Sequence, residues 1–257
     1  MPIRKLLLTL SLVVIASTPA QAQWGSLTGK FIVEGKAPPP ERLEVTKDKA
    51  VCGKNPIFSE KLVVGPKGEL RDVAVWITPA RRKSAPDPHP DYLKLATQPI
   101  NVDNLACVYK PHMEVVWKKR PVHFRNLDPI AHNFSVTGFN TTFNVVVPPN
   151  GAHVETFKEE EKAPVPAACT IHPWMKSLIL VRDSPYAAAS GEDGTFTIEN
   201  LPASKWDFSF WHESTGYLED LKIGDEETDR KGQCEIKIED GKTTDLGVIV
   251  IQAADLK

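Results

Sequence analysis

Apolar residues in this chain come in short runs that alternate with polar residues or end at glycine and proline. No stretch repeats apolar residues at the three-and-four spacing of a long amphipathic helix. Short runs rich in β-branched and aromatic residues, bounded by turn signals, are typical of strands. In the middle of the chain the pattern predicts strands over 113–117, 122–125, 132–137, 143–147, 153–157 and 177–181. Such short, closely spaced strands are typical of a β-sandwich, so the predicted fold class is all-β.

The two ends of the chain predict further strands. A strand starting at Leu27 stops at the prolines 38–40, which cannot donate ladder hydrogen bonds. Additional strands are predicted over 60–64, 71–77, 195–198, 207–211, 235–238 and 246–251. Five prolines between 79 and 99 interrupt the pattern, so a Pro-rich linker is expected over 81–102. A solvated connection and a docking arm are both open interpretations of it.

The first 22 residues have the features of an export signal. Arg4 and Lys5 precede an apolar run over 6–16, and Ala20-Gln-Ala22 is a typical cleavage sequence. We therefore expect cleavage near Ala22 and a mature protein in the periplasm or outside the cell. The apolar run is too short for a membrane helix, and no later run reaches the required length, so no transmembrane segment is expected.

The charge of the chain argues against one class of partner. The formal net charge is −2, and loss of Arg4 and Lys5 with the signal takes it to −4. Lysine and arginine form no basic stripe, so nucleic acid is not an expected partner. The remaining length allows one large domain or two modest ones.

The densest group of metal-ligating side chains is the heptapeptide Cys169-Thr-Ile-His172-Pro-Trp-Met175. Thiolate, imidazole and thioether are ligands that suit copper. His132 follows a turn and opens a predicted strand 37 residues before Cys169, where it can supply a fourth ligand. Each residue alone is more commonly a packed, solvated or disulfide-bonded side chain. Their combination at this spacing predicts one mononuclear copper site.

The cysteines allow several pairings. Four cysteines in an exported protein would ordinarily form two disulfides. If Cys169 binds a metal, at most one pair remains. We expect Cys52 to pair with Cys107, because Cys234 lies in a late, charged segment. The sequence leaves other bridges open, together with the state of Cys234.

The early histidine and the late Cys-x2-His-x2-Met loop resemble those of the cupredoxins, the blue copper proteins of the plastocyanin and amicyanin type, over about 103–183. This resemblance implies a Greek-key β-sandwich with a single type 1 copper. By the same resemblance, His132, Cys169 and His172 form a trigonal plane and Met175 is the long axial ligand.

The cupredoxin resemblance also implies roles around the ligands. Asn133 would tie the two ligand loops together, and Pro173 would remove one backbone donor near the sulfur. The exposed ring of His172, with Trp174 beside it, would be the route by which electrons leave. Whether His112 approaches the metal or is structural stays open.

The ends of the chain carry a second resemblance. The segment Asp193-Gly-Thr-Phe-Thr-Ile-Glu-Asn-Leu-Pro202 and the opening strand are similar to the two halves of a carboxypeptidase regulatory-like domain, although Pro202-Ala-Ser-Lys-Trp206 departs from its usual pattern. This implies a discontinuous, Ig-like β-sandwich over 24–80 and 184–257, with the copper domain of 103–183 inserted. Almost the entire mature chain resembles bacterial proteins of the methylamine-utilisation type.

These features favour an electron carrier over an enzyme. Nothing in the sequence indicates a hydrolytic triad or a pair of catalytic carboxylates, and a copper site of this kind cycles single electrons. The expected partner is a redox protein, either a cytochrome or a copper or quinone enzyme. Two other functions remain open: copper binding and delivery, and a structural cell-surface module with a vestigial loop.

Overall fold

The computed structural model describes residues 23–79 and 84–256, and these residues are mostly in strands. The predicted export signal lies outside the described residues. The early strands are β1 (Trp24–Glu34), β2 (Arg42–Leu43), β3 (Ile57–Phe58) and β4 (Ala74–Thr78). The middle strands are β5 (Ile100–Leu105), β6 (Val108–Lys110), β7 (Met113–Trp117), β8 (Val122–Asn126), β9 (His132–Thr137), β10 (Thr142–Val147), β11 (Ala152–Glu155), β12 (Val165–Ala168) and β13 (Lys176–Arg182).

The late strands are β14 (Ala187–Ala189), β15 (Thr195–Pro202), β16 (Lys205–His212), β17 (Gly216–Tyr217), β18 (Lys222–Ile223), β19 (Glu226–Glu227), β20 (Gln233–Lys237) and β21 (Thr243–Gln252). Helical structure in the described residues is confined to short turns: α1 (Lys49–Cys52), α2 (Pro90–Leu95) and a 3-10 turn at Ala253–Asp255. The all-β fold class is therefore confirmed. No helix in the described part of the chain has the length and apolar character needed to cross a membrane.

The first sandwich is built from the two ends of the chain. β1 lies between β15, which is antiparallel to it, and β21, which is parallel. Opposite this sheet, β4 pairs with β14 and β16, and β16 also pairs with β17 and β20. Every second residue of β1 is buried, as expected for a strand with one face on a core. Phe31, Phe196, Phe208 and Phe210 are among the largest side chains of this core.

The second sandwich is built from the middle of the chain. One sheet has the order β10-β9-β12-β13-β7, and the other has the order β11-β8-β5-β6. β13 and β7 are parallel, whereas β9, β10 and β12 pair antiparallel. The rings of Tyr109, Phe124 and Phe134 pack against one another at tilted angles in the core between the two sheets.

The two sandwiches pack on each other through a small third apolar cluster. Trp76 of β4 is buried there with Met113 of β7 and with Leu178 and Leu180 of β13. β4 and β13 are consequently buried on both faces. This explains why both strands are continuous apolar runs rather than alternating ones.

The segment 41–59 packs differently from its predicted place in the outer sandwich. Leu43, Val51, Cys52 and Ile57 contact the core of the second sandwich, and Cys52 is bonded to Cys107. β2 and β3 form only a two-stranded ribbon, which has too few strands for a core of its own. The boundary at residue 80 therefore does not describe this segment, and the division into separately folding domains stays a prediction.

Two other expectations differ from the structure. The described part of the predicted linker contains α2, and β5 begins inside it at Ile100, whose side chain is buried in the second core. The predicted strand over 60–64 is reduced to one bridge between Val64 and Leu70. β12 was not predicted, because Pro164 and Pro166 mark a turn by their chemistry.

Candidate metal centre

The two predicted ligand loops meet at one end of the second sandwich. His132 is the first residue of β9, and Cys169 follows the last residue of β12. The two strands are neighbours, with Ala168 paired to Ser135. The ligand loop is closed by two backbone hydrogen bonds, from the Cys169 N–H to the Met175 carbonyl and from the Met175 N–H to the His172 carbonyl. Rigid pairing on both sides therefore holds the loop opposite His132.

Three of the four predicted ligands converge on one buried point. The Nδ1 atoms of His132 and His172 are 2.9 Å apart, and the Sγ atom of Cys169 is 3.7 Å from the Nδ1 atom of His172. The donor atoms of all three residues lie within 4.8 Å of one another. Both imidazole rings are 0% exposed and Cys169 is 2% exposed. Metal–nitrogen and metal–sulfur bonds are about 2.0–2.3 Å long for zinc and comparable ions, so one ion can bond to all three atoms.

Asn133 joins the two loops through its side-chain oxygen. Oδ1 accepts hydrogen bonds from the Thr170 N–H at 2.9 Å and from the Ile171 N–H at 3.3 Å, and the Cys169 thiol lies 3.3 Å away. The amide nitrogen donates to Oδ1 of Asn144 at 2.7 Å. One side chain thus holds the backbone between Cys169 and His172 in place.

The Cys169 sulfur also accepts a hydrogen bond from the loop itself. The His172 N–H donates to Sγ at 3.4 Å. Pro173, the next residue, has no N–H to donate and is exposed. Hydrogen bonds to a ligand sulfur tune the redox potential of blue-copper sites, so this single donor matters for any metal bound there.

The second nitrogen of His132 is held by a carboxylate. Nε2 of His132 lies 2.9 Å from Oδ2 of Asp128, which is buried. Asp128 also accepts the backbone N–H groups of Ala106 and Cys107, both at 2.8 Å. These two residues form the β5–β6 turn and have φ values of 55° and 59°. This left-handed conformation is unfavourable for residues other than glycine. Asp128 therefore stabilises a strained turn and orients the imidazole.

The electrostatic surroundings favour a neutral imidazole at His132. Burial lowers the pKa of His132, and the neighbouring His172 lowers this pKa further. A neutral ring can present its lone pair to a metal. Burial also raises the pKa of Tyr109, with the nearby Cys169 adding to the shift, and the Tyr109 hydroxyl donates to the Asn133 carbonyl. Tyr109 thus stays protonated beside the site.

Met175 and Trp174 are buried under the ligand loop. Met175 is 1% exposed and belongs to the second core together with Cys169. The indole N–H of Trp174 donates to the Cys107 carbonyl at 3.1 Å, and its ring lies 5.1 Å from the ring of His172. Trp174 therefore links the ligand loop to the turn that Asp128 holds.

The expectation of an exposed His172 ring is wrong. His172 is 0% exposed, because the turn that begins α1 covers it, and its Nε2 atom lies 2.7 Å from Oδ2 of Asp48. Trp174 is also buried, so neither predicted exit residue presents its ring to solvent. The cover comes from the segment 41–59, which the Cys52–Cys107 disulfide ties to the second sandwich. Of the four cysteines, Cys169 and Cys234 are buried thiols outside any disulfide.

His112 does not join the three converging ligands. Its Nε2 atom pairs with the carboxylate of Glu213, across the interface between the two sandwiches. It lines a cavity of about 300 Å³ together with Trp174 and Met175. His112 is thus adjacent to the ligand loop and is engaged in an ion pair with Glu213.

Sequence reasoning missed both carboxylates that hold the histidines. Asp128 had a usable signal, because it lies four residues before His132 in a loop rich in turn residues. Asp48 had a weaker signal: if Cys52 pairs with Cys107, the residues around Cys52 must lie beside the second sandwich. No local pattern distinguishes Asp48 from the other charges around it.

Comparison with known proteins gives structural neighbours only. No protein-family model matches the chain, and no curated protein matches it. A solved structure of an amicyanin variant in its reduced Cu(I) form is 21% identical, covers 35% of this chain and 88% of its own, and has a TM-score of 0.30. Amicyanin from Paracoccus versutus is 19% identical, with 33% and 82% covered and a TM-score of 0.30.

A copper-containing nitrite reductase from Thermus scotoductus is 20% identical, covers 40% of this chain and 24% of its own, and has a TM-score of 0.31. Similarity at this level does not extend to function, so the interpretation of the site rests on its own side chains. The protein is an all-β chain whose structural neighbours include copper proteins of the cupredoxin fold.

Proposed function

We propose that the protein is an exported type 1 copper protein that carries single electrons and turns over no substrate. The observation that supports this most is the convergence of His132, Cys169 and His172 on one buried point. Two imidazoles and one thiolate in a trigonal set, with a methionine available as a weak axial ligand, are typical of blue copper sites. Met175 is the methionine that would fill the axial role.

The chemistry that copper supplies with such ligands is one-electron cycling between Cu(I) and Cu(II). Residues around the ligands would keep them in a fixed arrangement as copper changes its oxidation state. Asn133 fixes the loop, and Asp128 fixes the His132 ring. All three donors are buried, which limits the access of water and substrate to a bound metal and favours electron transfer over catalysis.

Copper stoichiometry tests which residues hold the metal. The apo protein, loaded with Cu(II) and freed of excess metal, is expected to retain one copper per chain. His132→Ala, Cys169→Ser and His172→Ala are each expected to lose it. His153→Ala is a matched control, because His153 lies on β11, is partly exposed and is not among the converging donors. Full retention of copper by the three site variants would contradict the assignment.

Delivery of Cu(I) to an acceptor is the alternative function for the same ligands. Complete burial of His172 beneath Asp48 favours retention of the metal over release. An electron carrier is expected to exchange electrons with a c-type cytochrome much faster than it gives Cu(I) to a chelator. The reverse order of rates would favour delivery.

A further inference from the structure

We propose that Asp48 is a positioning residue of the metal centre that acts through His172. It accepts the Nε2–H of the ring and so presents Nδ1 to the metal. The inference rests on the proposed function for the identity of the metal, but the ring orientation is a property of the protein alone.

The geometry at His172 determines which nitrogen carries the proton. Oδ2 of Asp48 lies 2.7 Å from Nε2, and an ionised carboxylate can only accept a hydrogen bond. The opposite nitrogen, Nδ1, faces Nδ1 of His132 and Sγ of Cys169. A proton held at Nε2 leaves the Nδ1 lone pair available on the side where the other donors lie.

The Asp48 side chain contacts His172 and does not cap its own helix. Asp48 is the N-cap residue of α1, yet its side chain makes no capping hydrogen bond. An aspartate at this position ordinarily caps its own helix. Asp48 also has a φ of 46°, which is uncommon for a residue with a side chain. Both features are explained if its carboxylate is directed to the ring.

The turn that carries Asp48 is anchored to the rest of the metal centre through Cys107. Cys52, at the end of α1, forms the disulfide with Cys107. The Cys107 N–H donates to Asp128, and its carbonyl accepts from Trp174. Cys107 therefore connects the turn that carries Asp48 to Asp128, the carboxylate at His132. The position of Asp48 relative to His172 is set by covalent and hydrogen-bonded links rather than by a free loop.

The matched arrangement at His132 supports the same role for Asp48. Each imidazole has Nδ1 directed inward and Nε2 held by a carboxylate, Asp128 for His132 and Asp48 for His172. Carboxylates bonded to metal-ligating histidines fix the tautomer and make the ring a better donor. The two differ in exposure, since the Asp48 side chain is 46% exposed and that of Asp128 is 6% exposed. Solvent therefore weakens the effect of Asp48.

A negative charge behind His172 stabilises Cu(II) more than Cu(I). Asp48→Asn keeps the shape of the side chain and removes its charge, and because the Asp48 side chain is 46% exposed, the variant is expected to fold. We expect its Cu(II) affinity to fall about tenfold, within the usual range for such partners, and its Cu(I) affinity to fall less. The reduction potential then rises, by up to about 59 mV for a tenfold change in the affinity ratio.

The test compares wild type, Asp48→Asn, Asp48→Ala and Glu44→Gln, which removes an equal charge from an exposed residue of the same segment. Nitrogen NMR of the apo protein reports the His172 tautomer, and voltammetry of the copper form reports the potential. Asp48→Asn removes the charge but keeps an oxygen that can accept the Nε2–H, so it is expected to raise the potential. Asp48→Ala also removes the acceptor and is expected to lose the predominance of the Nε2–H tautomer. If Asp48→Asn matches Glu44→Gln in potential and Asp48→Ala matches it in tautomer, Asp48 is not a positioning residue.

The proposed function and the positioning role of Asp48 can be overturned independently of each other. An absence of copper binding in the wild type would overturn the proposed function, while the apo NMR comparison would still decide the role of Asp48. Normal copper binding with no effect of Asp48→Asn on the potential and none of Asp48→Ala on the tautomer would overturn only the positioning role.

Discussion

Nε2 of His172 lies 2.7 Å from Oδ2 of Asp48, although 124 residues separate the two in the chain. This contact places a carboxylate over a ring that the cupredoxin resemblance implies is exposed. It closes the candidate metal centre on the side where a redox partner was expected to approach. Under the proposed function, electrons would therefore pass through the covering segment or around it, by way of neighbours such as the exposed Pro173.

Loss of the Asn133 side chain is expected to destabilise the apo protein. Asn133→Ala leaves two partly buried backbone donors of the ligand loop without their acceptor, and an unsatisfied buried group costs about 1–3 kcal/mol. We expect the free energy of unfolding to fall by about 1–3 kcal/mol in urea denaturation. Asn144→Ala removes only the exposed partner of Asn133, so a loss below about 1 kcal/mol is expected. Equal losses in the two variants would contradict the role of Asn133.

Opening the Cys52–Cys107 disulfide is expected to loosen the cover over His172. The bond joins residues 55 apart, and a cross-link of this span contributes about 2–4 kcal/mol to stability. After reduction with dithiothreitol, the backbone amides of 48–53 and the His172 ring should become accessible to hydrogen exchange and to chemical modification. Cys234→Ala is the control, because Cys234 is a free thiol in the other core. Unchanged protection at 48–53 after reduction would show that the disulfide does not hold the cover.

Met175→Leu tests the axial role of the methionine. The substitution conserves volume in a buried position, so the fold should be retained. The copper form is expected to keep its intense visible absorption, while its reduction potential rises because Cu(II) loses a weak donor. Met113→Leu is the control, since Met113 is buried between the two sandwiches rather than in the second core. A shift of the same size in both variants would exclude an axial role for Met175.

The stability of the first sandwich is expected to fall in acid because of His212. Burial lowers the pKa of His212 from 6.5 to about 4. The unfolded chain therefore binds a proton that the folded protein does not, and stability present above pH 6.5 is lost as the pH falls toward 4. The loss amounts to about 3 kcal/mol at about 1.4 kcal/mol per pKa unit.

The His212→Asn variant isolates this contribution. Its side-chain oxygen can replace Nδ1 as the acceptor of the Ser214 N–H, and it does not titrate. The difference between wild type and variant in free energy of unfolding should shift by about 3 kcal/mol between pH 8 and pH 4. A difference that does not change with pH would contradict the lowered pKa.

The sequence predicted those parts of the structure that depend on residues close together in the chain. The ligand loop could be predicted because three donor residues lie within seven positions, and β7 and β9 were predicted with the bounds that the structure has. The Cys52–Cys107 disulfide is the pair that the cysteine pattern favoured. β12 was missed because its two residues paired with β9, Ala167 and Ala168, have no strand preference of their own.

The parts that could not be predicted depend on packing between distant segments. Leu43 and Ile57 lie in a short ribbon and Cys52 ends the helical turn between its strands, and only tertiary contacts decide which core they join. The same packing brings Asp48 to His172. An aspartate between Lys47 and Lys49 has no feature in the sequence that indicates a contact 124 residues away.

The proposed function requires His132, Cys169 and His172 to hold one type 1 copper. Its most direct test is the visible and electron paramagnetic resonance spectrum of the Cu(II) protein, wild type against Cys169→Ser. We predict an intense thiolate-to-copper absorption band with a narrow copper hyperfine splitting in the wild type, and the loss of both in Cys169→Ser. A wild-type protein that binds copper without that band, or a Cys169→Ser variant that keeps it, would contradict the claim.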